Sequence, residues 1–246
     1  MPAHTKSPKR VQLDQLLSSR GYCKRREVRW ELARVQVDGR EPLAPEEKVD
    51  PTRVTWDGEA LDPETVVILL HKSAGYVCSR RVVGTKGAPV FDLLGRPLSG
   101  RQPPLSCVGR LDLDTTGVLL LTDDGQLLHR LTSPHFKMPK VYQVDLVRSL
   151  CAHAEARLAS GLSLPGEDEP LAPAQLTRVN ARRVLLEITE GRYHQVKRTF
   201  AVLDNQVIGL HRVSCAGVEL GELPVGEHRL LTPEETTALR RSVRMR

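Results

Sequence analysis

From about residue 67 onward, the chain contains a series of short Val- and Leu-rich segments. They include VVILL, VLLL, VYQVDLV, VLLEIT and VIGLHRV, and between them lie the helical patterns GQLLHRL, AHAEARLASGL and HQVKRTFAVL. Apolar segments of this length are typical of strands. Because the strands and helices do not alternate regularly, as parallel βαβ units require, we predict an α+β domain at residues 67–240. Its sheet should be mixed and largely antiparallel, with flanking helices.

The preceding residues predict a second, smaller domain. Residues 1–10 are rich in Pro and Lys without periodicity, and we expect a disordered basic tail. Residues 11–61 show two short helical patterns, the first ending at Gly21 and the second covering Cys23 to Arg34. Two strand, Asp-Gly turn, strand patterns follow, in VQVDGRE and VTWDGEAL. Residues 62–66 are predicted to be a linker.

Positive charge is concentrated at the beginning of the chain. The net charge is +6, and residues 1–40 contain ten Lys or Arg against four Asp or Glu, so the remaining residues are balanced. This asymmetry is typical of a nucleic-acid-binding module on a neutral body, although a solvated basic surface has the same composition. We predict phosphate contacts from the second helical pattern, through Lys24, Arg25, Arg26, Arg29 and Arg34.

Other features of the composition argue against several classes of protein. The five cysteines are scattered without a C-x-x-C pair, which favours reduced thiols over disulfides or a zinc site. The longest apolar runs are too short to cross a bilayer, and the start of the chain lacks the pattern of a signal peptide. We therefore expect a cytoplasmic protein that contacts no membrane.

The stretch GRLDLDTTG places two carboxylates, Asp112 and Asp114, in a turn-forming run before an apolar strand. A calcium loop is disfavoured because strand residues follow where ligands should lie, and an aspartic-protease dyad would need a second copy of the loop. We predict that Asp114 accepts backbone N–H groups and fixes the turn, which leaves Asp112 for chemistry. Both side chains would share a face of an extended segment, so periodicity alone does not decide between them.

A second polar stretch, EGRYHQVKRTF, supplies cations that could keep the pKa of such a carboxylate low. It contains Arg192, His194, Lys197 and Arg198. Helical spacing places His194 and Arg198 on one face and Lys197 on another, so the cations should not converge on one point. A solvated or RNA-facing basic turn is the alternative interpretation.

The residues before position 61 resemble the S4 RNA-binding domain, which has an αL-type fold. The resemblance rests on LDQLL, Gly21, KRREVRWEL and VQVDG. Two positions depart from the family pattern: Gln12 stands where Arg is usual, and Cys23 stands where Ser is usual. The cap of the basic helix is therefore expected to be weaker.

The larger domain resembles the bacterial ribosomal-RNA pseudouridine synthases of the RsuA type. The matching segments are GRLDLDTTGVLLLTDDGQLLHRLTSP, KVYQVDL and EGRYHQVKRTF, with LLHKSAGYVCS and VIGLHRVSCAGVEL typical of the small-subunit group. The resemblance implies a monomer that isomerises a uridine to pseudouridine in 16S rRNA, at uridine 516, without a cofactor or metal. Naked rRNA and a partly assembled small subunit are both open as substrates. A sister enzyme acting on 23S rRNA and a catalytically silent S4-type RNA-binding protein are the alternatives.

The resemblance also implies roles for particular residues. Asp112 corresponds to the catalytic aspartate, Tyr142 to the aromatic residue that stacks on the target base, Lys197 to the basic partner of the aspartate, and Arg110 to the arginine before the catalytic pair. Whether Asp112 attacks a carbon or removes a ribose proton is open. The residues predicted to bind RNA are Lys24, Arg25, Arg26, Arg29, Arg34, Lys140, Arg192, His194 and Arg198.

Overall fold

The structure, a computed structural model, describes residues 10–80 and 87–245, so residues 1–9 of the tail predicted at residues 1–10 lie outside the described residues. The chain forms two compact units. One comprises the residues up to Val66 together with Leu94–Leu105, and the other comprises Val67–Leu93 and Ser106–Arg246. The sequence pattern includes residues 94–105 in the larger domain, whereas the structure packs them with the smaller unit, where the Gln102 N–H donates to the Ser19 carbonyl (2.8 Å).

The smaller unit has a core of Leu and Val side chains, including Leu13, Leu17 and Val28, all three fully buried. Its elements in chain order are β1 (Val11–Gln12), α1 (Leu13–Ser19), α2 (Val28–Glu31), β2 (Val35–Val37), β3 (Lys48–Val49), β4 (Val54–Trp56) and β5 (Glu59–Ala60), with 3₁₀ turns at Arg25–Glu27, Leu32–Arg34, Pro51–Arg53 and Leu98–Gly100.

The second predicted helix of this unit is shorter than expected. Over Cys23 to Arg34 the α-helical part is a single turn, α2, with a 3₁₀ turn on either side. Val28 packs into the core while Arg29 and Trp30 are exposed, so little apolar surface supports a longer helix. No N-cap side chain caps the turn at Arg25–Glu27; instead the Lys24 N–H donates to the Glu27 carboxylate (3.0 Å) and the Glu27 N–H donates to the Lys24 carbonyl (2.7 Å), and Cys23 is buried.

The two Asp-Gly turns form as predicted, but with unequal strands. Both residues of each turn have positive φ, as the tight hairpin turn requires. The Asp57–Gly58 turn joins β4 to β5, whereas the Asp38–Gly39 turn is followed by a single bridge from Val37 to Arg40.

The larger unit contains the predicted α+β arrangement. Its helices are α3 (Gly125–Thr132), α4 (Ala154–Ala159), α5 (Gln195–Val202) and α6 (Pro233–Ser242). None of the helices in the described ranges is long and apolar enough to cross a membrane. Its strands are β6 (Val67–Lys72), β7 (Tyr76–Val77), β8 (Ala88–Pro89), β9 (Ser106–Cys107), β10 (Thr116–Thr122), β11 (Lys140–Leu146), β12 (Gln175–Arg178), β13 (Arg183–Ile188), β14 (Val207–Cys215), β15 (Val218–Glu219) and β16 (His228–Leu230).

One mixed sheet organises this unit. Within the described residues it has nine strands, in the order β12-β13-β11-β14-β10-β6-β16, with β15 beside β14 and β9 beside β10. All neighbouring pairs are antiparallel except β10 and β14. The prediction of a largely antiparallel mixed sheet is confirmed.

The two faces of the central strands have different partners. Val67 and Leu69 of β6 and Val118 and Leu120 of β10 pack in a core with α3 and the end of α6. Because side chains alternate along a strand, Lys72 and Gly117 belong to the opposite face. The face that carries Lys72 is the one that positions the site described below.

A row of four aligned residues crosses the sheet on that face. Tyr142 of β11 pairs with Arg212 of β14, Arg212 pairs with Gly117 of β10, and Gly117 pairs with Lys72 of β6. Gly117 has a φ of +108°, and a Cβ there would lie 2.2 Å from the Arg212 carbonyl oxygen. The parallel contact between β10 and β14 therefore requires glycine at this position.

We predict that Gly117→Ala destabilises the larger unit by roughly 3 kcal/mol, because the new methyl group meets backbone atoms and the φ is unfavourable for alanine. Urea unfolding measures the change. The matched control is Gly125→Ala, since Gly125 begins α3 with nothing within 4 Å of the added Cβ. Equal unfolding midpoints for the two variants would show that the close approach is not a constraint.

Candidate active site

The two aspartates lie in the loop between β9 and β10. Its turn is closed by a hydrogen bond from the Thr115 N–H to the Asp112 carbonyl (3.2 Å). The side chain of Asp112 is 31% exposed, whereas that of Asp114 is 69% exposed. The loop therefore presents one half-buried and one exposed carboxylate.

The buried ammonium of Lys72 holds this loop from below. Lys72 is fully buried, and its Nζ donates to the carbonyl oxygens of Asp112 (3.0 Å), Leu113 (3.4 Å) and Thr115 (2.7 Å), as well as to that of Ser73. Burial lowers the pKa of Lys72. Lys72 therefore holds the turn through main-chain carbonyls, whereas the sequence predicts that Asp114 fixes it; the Asp114 carboxylate bonds chiefly to Lys197.

Lys197 bridges the two carboxylates. Its Nζ donates to both oxygens of Asp114, at 2.6 and 2.8 Å, and lies 3.6 Å from Asp112 Oδ2. The hydrogen bond from Lys197 holds the pKa of Asp114 below its usual value. Lys197 is thus beside Asp112, as the resemblance implies, but its hydrogen bonds go to Asp114.

His194 also reaches Asp112, with Nε2 lying 3.5 Å from Oδ1. Its backbone is left-handed, with φ of +46°, and it precedes the first turn of α5. Helical spacing consequently does not apply to it, and the expectation that His194 and Lys197 face apart is wrong. The two side chains therefore converge on the Asp112 carboxylate, His194 from the residue before α5 and Lys197 from the first turn of α5.

The remaining cations of this stretch have structural partners. Glu167 accepts hydrogen bonds from Arg192 (2.9 Å) and from Arg198 (2.6 Å). Arg192 also donates to the carbonyls of Glu169 and Pro170, and Arg198 donates to those of Pro165 and Tyr193. Both guanidinium groups therefore hold the segment 165–170 beside α5. The sequence predicted that they bind RNA, and it did not predict this structural role.

Tyr142 lies in β11 of the sheet and is 7% exposed. Arg212 Nη1 donates to its hydroxyl at 3.4 Å, and Arg212 Nε donates to the Val118 carbonyl at 2.6 Å. Lys140, two residues before Tyr142, donates to the Met138 carbonyl, and burial lowers its pKa. Its ammonium is thus less available to RNA than the sequence suggests.

A cysteine pair adjoins the aspartate loop. The Cys107 thiol donates to Cys78, and the Leu111 N–H donates to Cys78 Sγ (3.4 Å), which together with nearby Lys72 and Arg212 lowers the pKa of Cys78. The pKa of Cys107 is raised. The roles of Lys72, Arg212 and Cys78 were not predicted from the sequence. A cation inside an apolar strand pattern was the available signal for the first two.

Arg110 is exposed and has no ion pair or hydrogen bond within the described ranges. It flanks the loop without touching the carboxylates in the way that Lys197 does. In those ranges no group of three or more His, Cys, Asp or Glu side chains is placed to bind a metal ion.

The basic residues of the smaller unit divide into engaged and open cations. Arg25 pairs with Asp14 (2.6 Å), and Arg34 bonds to Asp57 and stacks over Trp56. Lys24 lies 3.7 Å from Glu27. Arg26 and Arg29 are exposed and form no salt bridge among the described residues, and we call these two the open cations.

We predict that Lys72→Met loosens the aspartate loop, because three loop carbonyls lose a charged donor. Hydrogen exchange at the Thr115 amide should accelerate, and the free energy of unfolding should fall by about 2 kcal/mol. Lys48→Met, at an exposed lysine, is the control and should change stability by less than about 0.5 kcal/mol. Unchanged Thr115 exchange in Lys72→Met would contradict the role of the ammonium.

Comparisons with known proteins identify the family to which the chain belongs. A sequence model of the RNA pseudouridylate synthase family matches residues 66–202, which include Asp112, Tyr142 and Lys197. Three similar proteins are each named ribosomal small subunit pseudouridine synthase A. The protein of Yersinia pestis is 39% identical over 93% of this chain and 98% of its own length, that of Escherichia coli is 39% identical over 84% and 89%, and that of Vibrio cholerae is 45% identical over 76% and 79%.

A solved structure shows the same fold over nearly the whole chain. It is described as a crystal structure of pseudouridylate synthase, is 35% identical, and covers 93% of this chain and 99% of its own with a TM-score of 0.66. The family match, the related sequences and this structure agree. The chain therefore belongs to the RNA pseudouridylate synthase family of enzymes.

Proposed function

We propose that this enzyme isomerises uridine 516 of 16S rRNA to pseudouridine, with Asp112 as the reacting carboxylate. The observation that carries the proposal is the position of Asp112 in its loop, 3.6 Å from Lys197 Nζ and 3.5 Å from His194 Nε2. The small-subunit target is supported by the names of the related proteins.

The reaction rearranges bonds without adding or removing atoms. The N1–C1′ bond breaks, the uracil turns, and a C5–C1′ bond forms, while the proton lost from C5 is replaced by one at N1. The uridine must leave its stack to reach Asp112, so an aromatic support is needed. Tyr142 is proposed for that support, because the row through Arg212 and Gly117 brings its strand to the base of the loop.

We further propose that the smaller unit is an S4 RNA-binding domain. Its charge surplus supports this role, and Arg26 and Arg29 are exposed and form no salt bridge among the described residues. In the larger unit, His194 and Arg110 are proposed to contact the RNA near the reacting uridine. The chain is proposed to act as a cytoplasmic monomer, since Asp112, Lys197, His194 and Tyr142 all come from one polypeptide.

Mapping pseudouridine in rRNA from a strain lacking this protein tests the target. The modification should vanish from one position of 16S rRNA and return with the wild-type gene. Comparing protein-free rRNA with small-subunit assembly intermediates in vitro then identifies the substrate. Loss of a pseudouridine from 23S rRNA instead would overturn the assignment.

We predict that Asp112→Asn reduces product below about 1% of the wild-type rate, because the amide cannot act as a nucleophile or base. RNA affinity should be nearly unchanged. Asp114→Asn is the matched control: it removes an exposed ion pair, worth about 0–1 kcal/mol, so the rate should fall at most about fivefold. Tritium release from RNA labelled at uridine C5 measures both. The reverse order of the two effects would make Asp114 the reacting group.

We predict that the Arg26→Gln, Arg29→Gln double variant weakens rRNA binding and flattens its dependence on log salt by about 1.5 units, since each phosphate contact contributes about 0.7–0.9. The control is Arg40→Gln with Arg53→Gln, which removes the same charge from cations paired with Glu47 and Asp38. Equal slopes in the two variants would mean that net charge, and not the open cations, governs binding.

A further inference from the structure

An exposed aromatic pair lies beside the proposed reacting carboxylate. Tyr193 is 77% exposed, and its ring stacks on that of His194 with centroids 3.8 Å apart and planes inclined by 19°. His194 in turn reaches Asp112 with its Nε2. One imidazole thus separates the carboxylate from a large aromatic ring that faces solvent.

The backbone around this pair is held in an uncommon conformation. His194 has left-handed φ and ψ, which cost a residue other than glycine about 1–2 kcal/mol. The Tyr193 carbonyl accepts a hydrogen bond from Arg198, and Arg198 is itself fixed by Glu167. Backbone strain that is maintained by surrounding hydrogen bonds is typical of functional sites. Because Tyr193 buries little surface, folding alone does not account for the placement of its ring.

The surroundings of the pair suit a nucleic acid. Glu167 is paired with Arg192 and Arg198, and Asp114 is paired with Lys197, so neighbouring acidic groups are neutralised. Exposed aromatic rings near cations bind unstacked bases, with little dependence on base identity. Tyr142 is already proposed to support the target uracil, which leaves the outer ring for another base.

We propose that Tyr193, backed by His194, is the platform on which the base next to the target uridine in the RNA strand stacks. This inference rests on the proposed function. When the uridine leaves the helix, its neighbour loses a stacking partner, and Tyr193 replaces that partner one ring away from Asp112. Tyr193 is then a positioning residue for the substrate strand and takes no part in bond rearrangement.

Steady-state kinetics on an rRNA fragment containing the target test the proposal. Tyr193→Ala should raise KM by about 5- to 150-fold, the equivalent of about 1–3 kcal/mol for one base on an aromatic ring, with kcat within about twofold. Tyr193→Phe keeps the ring and should restore KM. The control Ile208→Ala removes an exposed apolar side chain of the same unit, 66% exposed, and should leave both constants unchanged.

A fluorescent base reports on the stack directly. 2-Aminopurine is placed on each side of the target uridine in turn, and binding is measured with Asp112→Asn enzyme so that no product forms. The fluorescence of 2-aminopurine at one of the two neighbours should be quenched when the Asp112→Asn enzyme binds. The quenching should disappear when Tyr193→Ala is added to that enzyme and persist when Tyr193→Phe is added instead. Thermal melts should be equal among these variants, since the ring is exposed.

The possible outcomes distinguish a failure of the proposed function from a failure of the stacking platform alone. No pseudouridine from the wild-type enzyme, on the fragment or in cells, contradicts the proposed function. An active wild-type enzyme with unchanged KM and quenching in Tyr193→Ala overturns the platform alone. A lowered kcat with unchanged KM would also overturn it, because that result assigns Tyr193 to orienting His194 against Asp112.

Discussion

The buried ammonium of Lys72 is the interaction on which the site depends. A charge with no exposed surface is costly unless hydrogen bonds satisfy it, and here its acceptors are main-chain carbonyls at the end of β6 and in the aspartate loop. If the loop left this conformation, the Lys72 ammonium would either be exposed to water or lose its hydrogen-bond acceptors. Lys72 faces Gly117, whose missing side chain allows the Arg212 backbone to approach. The position of Asp112 therefore follows from the register of the sheet.

The two carboxylates are distinguished by how their cations contact them. Lys197 makes two short hydrogen bonds to Asp114, while its distance to Asp112 and that of His194 exceed the usual range for hydrogen bonds. The oxygens of Asp112 are thus not occupied by donors at close range. A carboxylate in this position is open to a ligand, which suits a reacting group. Asp114 contributes by holding Lys197 in place.

Much of the fold was predictable because it depends on apolar periodicity. The strands containing VLLL and VYQVDLV and the helix in HQVKRTFAVL are amphipathic or wholly buried, and the structure contains them. The roles of single polar residues were harder to predict from the sequence. The left-handed backbone at His194 depends on tertiary contacts. So do the hydrogen bonds that Lys72 donates to a loop about forty residues further along the chain. No spacing rule in the sequence encodes such contacts, and so the part that Lys72 takes in holding the turn was not predicted.

The same limit applies to positive charge. Composition counts every Lys and Arg alike, whereas the folded chain commits many of them to carboxylates and carbonyls, as with Arg25 on Asp14 and with Arg192 on Glu167. An engaged guanidinium would have to exchange one anionic partner for another to contact a phosphate, and the gain is small. An open one, such as Arg26, gains the full contact. The proposed electrostatic footprint for RNA is therefore set by the carboxylates that accompany the cations, and it is narrower than the N-terminal charge surplus suggests.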